Sequence, residues 1–158
     1  MPVLNRTLRV DECAMGRSFS EVPRFGRFPS SGLLVLDEAG SDIAAALWNA
    51  CDVAVSSRLA YPEACAALAT AGRNHEATAA TAAWEGFWAA MRPVELSADV
   101  ERTAGALAVR QQLRGADAIH LASALALGST DLTVAVWDKR LHAGAAAVGL
   151  AVAPAALG

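Results

Sequence analysis

The sequence predicts an α/β fold of three layers, with helices on both faces of a mostly parallel central sheet. Short apolar runs at 33–36, 53–56 and 132–136 alternate with longer segments rich in alanine and leucine. Nearly continuous apolar runs are typical of strands that are covered on both faces. The alternation of strands with helices favours parallel strands joined by crossover helices.

The amino-acid composition limits the classes of protein to which the chain can belong. The 158 residues are 54% hydrophobic and 18% charged, which suits one folded domain with a hydrophobic core. With a net charge of −3, the chain is not an obvious nucleic-acid binder, so RNA contact requires a local basic patch or a bridging metal ion. Three cysteines without a C-x-x-C pair argue against a zinc ribbon or a disulfide scaffold and favour a reducing, cytoplasmic location. No signal peptide and no membrane-spanning run is predicted.

The helices are predicted from their boundary residues. Ser41 and Asp42 offer an N-cap for a helix at 43–50, and Pro62 suits the first position of a helix at 63–71. Pro93 ends a helix at 77–91, and Gly115 separates two others. The remaining helices are predicted at 97–113, 117–127 and 139–148, and further strands at 94–96 and 150–153.

Residues 1–31 differ from the rest of the chain. They hold five arginines and three acidic residues, and prolines, glycines and serines interrupt any period. We predict an irregular segment here, followed by one domain at 32–158. The composition also suggests a non-native start, such as a frameshift in the coding sequence. Sequencing the coding locus tests this, because an intact reading frame with no alternative opening in another frame would exclude a frameshift.

Four acidic residues follow predicted strands or open predicted helices: Asp37, Glu63, Asp117 and Asp138. In parallel α/β sheets the functional groups gather beyond the carboxyl ends of the strands. Carboxylates gathered in one pocket repel each other, so protons or a divalent cation must neutralise them. The pattern therefore predicts a metal site at one edge of the sheet.

The segments around three of these acids resemble the PIN-domain family of VapC-like toxins. They are AYPEA at 60–64, LRGADAIHLASA at 113–124 and LTVAVWDKRL at 132–141. The resemblance implies a PIN-like fold and a metal-dependent endoribonuclease, the toxin of a VapBC-type pair, with Mg²⁺ or Mn²⁺ as cofactor. It further implies an RNA substrate, a cognate antitoxin and a homodimer.

The resemblance also implies roles for the acidic residues. Asp117 would be a main metal ligand, Glu63 would hold the ion or its water, and Asp138 would bind through water or place a second ion. Hard cations prefer carboxylate oxygens, which fits these residue types.

The family's first acid has two alignments in this chain. In one, Asp37 to Asp42 corresponds to a later turn, and the first acid falls near 27–29, where the sequence has none. In the other, Asp37 is the first acid, and Glu63 follows it too soon by nearly three helical turns. The spacing favours the first alignment, which implies impaired activity. The alternative function is a catalytically inactive PIN-like binding or regulatory module.

Two further features have both a functional and a structural interpretation. His120 lies three residues after Asp117 on the same helical face, where it would contact the site or pack in the core. Trp84, Phe87 and Trp88 form a helical stripe that belongs to the core or to a dimer or antitoxin surface.

Overall fold

The computed structural model describes residues 2–4, 40–71 and 76–157, and these form the predicted α/β architecture. One five-stranded sheet has the order β3-β2-β1-β4-β5. Its strands are β1 (Pro2–Leu4), β2 (Ala54–Ser57), β3 (Arg92–Val94), β4 (Thr133–Ala135) and β5 (Ala151–Ala153). The helices of the described ranges are α1 (Ser41–Ala50), α2 (Ala60–Ala71), α3 (Glu76–Ala90), α4 (Ala98–Arg110), α5 (Gly115–Leu125) and α6 (Lys139–Ala147). In these ranges no helix has the length and apolar character needed to cross a bilayer.

The sheet is mostly parallel, as predicted. Strand β2 pairs with β3 in parallel, and β4 pairs with β5 in parallel. The central strand β1 is antiparallel to both β2 and β4, so β2 and β4 point in the same direction. Four of the five strands therefore end at one edge of the sheet, which we call the carboxyl edge.

Strand β1 lies within residues 1–31, which were predicted to be irregular. Pro2 pairs with Ser56, while Leu4 pairs with Ala54 on one side and Thr133 on the other. A run of three residues is too short to show a period, so only its pairing with distant strands reveals it. Because β1 is reversed, its first residue lies at the carboxyl edge. The strand predicted at 33–36 lies outside the described residues.

Side chains alternate between the two faces of the sheet and define the outer layers. Val55 and Val134 pack in a core cluster with residues of α4, α5 and α6. The adjacent residue Ala54 packs in a second cluster with residues of α2 and α3. Ala135 packs in a third cluster with residues of α1. This alternation follows from the two-residue period of a strand and produces the predicted three-layer arrangement.

Several predicted boundaries agree with the structure because a local cap sets them. The Ser97 side chain accepts a hydrogen bond from the Val100 amide and caps α4. Helix α6 begins at Lys139, as predicted, and Asp138 is its N-cap. Caps of this kind satisfy amides that lack a partner inside the helix.

Other boundaries differ from the prediction. Gly40 precedes α1 as its N-cap residue, with a left-handed φ of 102° and no side-chain cap, so Ser41 and Asp42 lie inside the helix. Helix α2 begins at Ala60, which makes Pro62 its third residue instead of its first. The first turn of a helix donates no intrahelical hydrogen bonds, so proline is tolerated at each of these positions. Pro93 lies in the edge strand β3, where an absent amide proton is tolerated.

The aromatic stripe on α3 belongs mainly to the core. Trp84 is fully buried, and Phe87 and Trp88 are half-buried against the same cluster. The ring centroids of Trp84 and Trp88 are 5.8 Å apart, and Phe87 meets Trp48 edge to face at 4.9 Å. These rings join α3 to α1 and the sheet, which supports the structural interpretation of the stripe.

Gly40→Ala is expected to lower the free energy of unfolding by about 3 kcal/mol, because it combines a strained backbone with a steric clash. A Cβ at Gly40 would lie 2.3 Å from the Trp137 indole nitrogen, and φ there is 102°. Gly149 has a φ of 82°, and a Cβ there meets nothing within 4 Å, so Gly149→Ala measures backbone strain alone. Denaturant unfolding of both variants checks the prediction. Equal losses in the two variants would contradict a steric role for Trp137.

Candidate active site

Three of the predicted site acids lie at the starts of helices. Glu63 is in the first turn of α2, which follows β2 after Arg58 and Leu59. Asp117 is in the first turn of α5, and Asp138 caps α6 three residues after β4 ends. The amino terminus of a helix carries a partial positive charge that stabilises each carboxylate.

Glu63 is hydrogen-bonded to the helix that carries Asp117. Its Oε2 lies 2.6 Å from Nε2 of His120, a residue of α5 that is 57 positions away in the chain. The His120 side chain is fully buried, and that of Glu63 is 36% exposed. Because an ionised carboxylate only accepts, the imidazole Nε2 is the donor. The bond joins a half-exposed acid to a rigid, buried ring.

Asp117 occupies the same face of α5 as His120. Residues three apart on a helix are surface neighbours, with Cβ atoms about 5–6 Å apart. Helical side chains also lean towards the amino terminus, which is the direction of Asp117 from His120. The Asp117 side chain is half-buried. The His120–Glu63 bond therefore links α2 to the face of α5 that carries Asp117.

Asp138 has a structural role that its sequence context did not indicate. Its Oδ1 accepts hydrogen bonds from the amides of Arg140 and Leu141, both at 2.9 Å. The side chain is exposed, as are those of Lys139 and Arg140. The cap fixes one carboxylate oxygen at the start of α6, and the second oxygen remains geometrically able to accept another ligand.

An ion pair connects the loops that follow β2 and β3. The Arg58 Nε lies 2.9 Å from Oε1 of Glu95. The guanidinium holds the pKa of Glu95 below its usual range, chiefly by hydrogen bonding, and the carboxylate raises the pKa of Arg58 in return. Both side chains are exposed, so the pair orders the two loops more than it stabilises the fold.

Comparison with known proteins assigns the family. Residues 31–145 match the family model of the PIN domain. The chain belongs to the PIN domain family. Two relatives from Mycobacterium tuberculosis are Ribonuclease VapC45 of strain CDC 1551 / Oshkosh and Ribonuclease VapC49 of strain ATCC 25618 / H37Rv. Each is 61% identical over 129 residues, which cover 78% of this chain and 90% of the relative. The predicted resemblance to VapC-like PIN proteins is confirmed.

The first acid of this PIN domain is not found among the described residues. Asp37 and positions 27–29 lie outside those residues, so the structure does not choose between the two alignments. The central strand β1 consists of Pro2, Val3 and Leu4 and carries no carboxylate. Its reversed direction brings Pro2 to the carboxyl edge beside Ser56. The division of the chain at residue 31 also stays a prediction.

The remaining carboxylates suit a hard divalent cation in their chemistry but form an open donor set. Residues 2–4, 40–71 and 76–157 contain no group of three or more His, Cys, Asp or Glu side chains arranged to hold a metal. Mg²⁺ is often held by one or two carboxylates and completes its coordination with water and substrate phosphate. Glu63 and Asp117 supply carboxylates of the type that this coordination uses, and PIN-domain nucleases generally use divalent metal ions.

Sequence reasoning missed two contacts in this PIN domain, because both join residues far apart in the chain. It placed His120 near the site but did not identify Glu63 as its partner. It also did not predict that Gly40 packs against Trp137, the residue before Asp138. A histidine one turn after an acid was the only local signal for the first contact, and the second had none.

Tyr61, two residues before Glu63, provides an optical probe of this region. Its hydroxyl donates to Glu85 at 2.7 Å, and this bond chiefly raises the pKa of Tyr61 to about 12. Tyr61 is the chain's only tyrosine, so absorbance at 295 nm reports its ionisation alone. The native chain should titrate near pH 12, and Glu85→Ala should lower the midpoint towards the ordinary value.

The raised pKa has a consequence for stability. The contribution from this bond is fully present below the unfolded pKa of Tyr61 and is lost as pH rises towards 12. Circular dichroism recorded during the titration shows whether the chain is still folded. A midpoint near 10 in a folded wild-type chain would contradict the Tyr61–Glu85 bond.

Proposed function

We propose that this PIN-domain chain is a metal-dependent endoribonuclease and the toxin of a VapBC-type toxin–antitoxin pair. The observation that carries the proposal is the Glu63–His120 bond, which brings Glu63 to the face of α5 that bears Asp117. The match to the PIN domain and the two relatives named as ribonucleases support the same conclusion. The proposed substrate is RNA, and hydrolysis leaves 5′-phosphate and 3′-hydroxyl ends.

The proposed cofactor is Mg²⁺ or Mn²⁺, held by Asp117 and Glu63. When bound, such an ion supplies charge neutralisation and Lewis-acid polarisation at the scissile phosphate. Asp138 contributes its uncapped carboxylate oxygen from the start of α6 and places the phosphodiester or a second ion. Glu63, Asp117 and Asp138 are thus the proposed catalytic residues, and Asp37 is a further candidate ligand under the alternative alignment.

The exposed cations beside Asp138 are proposed to contact the RNA backbone. Lys139 and Arg140 are both exposed in the first turn of α6. Basic side chains next to an acidic pocket neutralise phosphates on either side of the cleaved bond and position the strand without reading its sequence. This local patch compensates for the net charge of −3, which disfavours RNA binding by the chain as a whole.

Cleavage of structured RNA by the purified chain tests the proposal. We expect cleavage with Mn²⁺ or Mg²⁺ and none after EDTA chelates the metal. Readdition of Mn²⁺ should restore activity, which separates chelation from denaturation. Cleavage that continues in EDTA would contradict a metal-dependent mechanism.

A second candidate is a catalytically inactive PIN-like binding module. The acid-free central strand β1 and the open donor set favour it. An inactive module would keep its fold and its partner surfaces but would bind neither Mn²⁺ nor Mg²⁺. Cleavage products that are absent with either ion, together with an unchanged melting temperature, would select this candidate.

The proposed partners are a cognate antitoxin and a second copy of the chain, acting in the cytoplasm. Large apolar side chains are exposed at Ile43, Leu96 and Val109, and the last is 81% exposed. Exposed apolar side chains are available to a protein partner. An antitoxin would neutralise the acidic pocket, for example by inserting an arginine. Light scattering should give a mass of twice 16.3 kDa for the homodimer.

A further inference from the structure

His120 is a fully buried polar ring. It lies on α5, where the neighbouring buried side chains include Leu121 and Ala124. Packing on every side restricts the ring to one orientation. A histidine is seldom retained in a core unless its nitrogens are hydrogen-bonded. The observed partner of Nε2 is a carboxylate on another helix, Glu63.

The geometry makes His120 a support for Glu63. A glutamate has three rotatable side-chain bonds, and the Glu63 side chain is 36% exposed, so packing alone does not fix it. The 2.6 Å bond from a buried ring holds the carboxylate against α5, the helix that carries Asp117. One oxygen of Glu63 accepts this bond, and a carboxylate has a second acceptor oxygen.

We propose that His120 is a positioning residue that holds the Glu63 carboxylate ready to bind a divalent cation together with Asp117. This inference rests on the proposed function, because it assumes that Glu63 is a ligand. His120 itself does not touch the ion or the RNA in this account. It acts by orienting Glu63, as groups that hydrogen-bond to metal ligands commonly do.

The test compares Mn²⁺ affinity, measured by calorimetry on the full chain without RNA, among variants of His120. His120→Leu removes the donor and keeps an apolar side chain of similar size, and it should weaken Mn²⁺ binding about tenfold to a hundredfold. His120→Gln retains an N–H donor near the position of Nε2, and it should bind Mn²⁺ within about threefold of wild type. Ser123→Ala is the matched control, because Ser123 is buried on the same helix and donates to Ile119 within that helix.

A double-mutant cycle separates positioning from general damage to the fold. If His120 acts through Glu63, His120→Leu should have no further effect on Mn²⁺ affinity in a Glu63→Gln chain. Nitrogen NMR of the metal-free wild type adds a second readout, a protonated Nε2 whose signal shifts in Glu63→Gln. Should His120→Leu not fold, His120→Gln and the NMR comparison decide.

Each outcome has a distinct meaning. A wild-type chain that binds no Mn²⁺ would overturn the proposed function and the positioning role with it. If wild type binds Mn²⁺ and folded His120→Leu binds it equally tightly, the positioning role alone is overturned. Equal weakening in His120→Gln and His120→Leu, or an Nε2 signal that is insensitive to Glu63→Gln, would do the same.

Discussion

Replacement of Asp117 by asparagine is expected to slow RNA cleavage at least about a hundredfold while leaving the chain folded. Asparagine has the shape of aspartate and keeps one carbonyl oxygen, but it lacks the negative charge that attracts a divalent cation. Asp117 is half-buried in the first turn of α5, three residues before His120, so its charge is less screened than that of an exposed acid. Cleavage rates under saturating Mn²⁺ measure the effect.

A control variant removes the same charge elsewhere. Asp99 also lies in the first turn of a helix, α4, where it is exposed and paired with Arg102. Asp99→Asn should leave cleavage within about twofold of wild type, because exposed pairs contribute little. Equal cleavage by wild type and by the combined Asp117→Asn and Asp138→Asn variant would refute the assigned site. Asparagine caps helices as well as aspartate does, so Asp138→Asn should preserve the start of α6.

Trp84→Ala is expected to have the largest effect on stability, with a loss of about 3–5 kcal/mol in the free energy of unfolding. Trp84 is the largest fully buried side chain among the described residues, and it packs against Trp88 in the cluster that joins α2 and α3 to the sheet. Truncation would leave a cavity that the surrounding helices cannot fill completely. Chemical denaturation measures the loss in the free energy of unfolding, with the dependence of that free energy on denaturant concentration taken as equal in both chains.

Trp84→Phe tests whether ring volume explains the effect, and Gly86→Ala is an exposed control on the same helix. In the described residues the buried Trp84 Nε1 has no hydrogen-bond partner, so Trp84→Phe removes a desolvated donor and retains most of the volume. It should cost less than half as much as Trp84→Ala. Gly86 is exposed, and a Cβ there meets nothing within 4 Å, so Gly86→Ala should stabilise α3 by about 0.5–1 kcal/mol. A loss below about 1 kcal/mol in Trp84→Ala would show that this cluster is not a close-packed core.

Much of the fold could be predicted because local chemistry sets it. Ser97 caps α4 through an interaction three residues away, and the apolar run at 132–136 contains β4. The parallel direction of β2 to β5 follows from the alternation of strands and helices. Glu63, Asp117 and Asp138 could be proposed as site acids because each lies within a recognisable motif at the start of a helix.

The rest of the fold depends on contacts that no local pattern encodes. Strand β1 is only three residues long, and its reversed direction is fixed by pairing with Ser56 and Thr133, far along the chain. Gly40 carries the left-handed turn before α1 because the Trp137 ring leaves no room for a Cβ. Ser41 and Asp42 have higher N-cap propensities than Gly40, but propensity scales take no account of contacts with a distant residue such as Trp137.

The candidate site shows the same division between local and distant information. Its acids are visible in the sequence, whereas the hydrogen bond from His120 that brings Glu63 to α5 joins residues 57 positions apart. The sequence also leaves the first acid undecided between two alignments. Spacing alone measures chain length and says nothing about which side chains meet at the carboxyl edge.

The shift in melting temperature caused by Mn²⁺ tests most directly whether Glu63, Asp117 and Asp138 share a divalent cation. An ion at about 100 times its dissociation constant stabilises the folded chain by about 2.7 kcal/mol, which corresponds to roughly 5–10 °C for a chain of this size. We expect that shift in wild type and its loss in the combined Asp117→Asn and Asp138→Asn variant. A wild-type melting temperature that does not change at millimolar Mn²⁺, or an equal shift in the variant, would contradict the account.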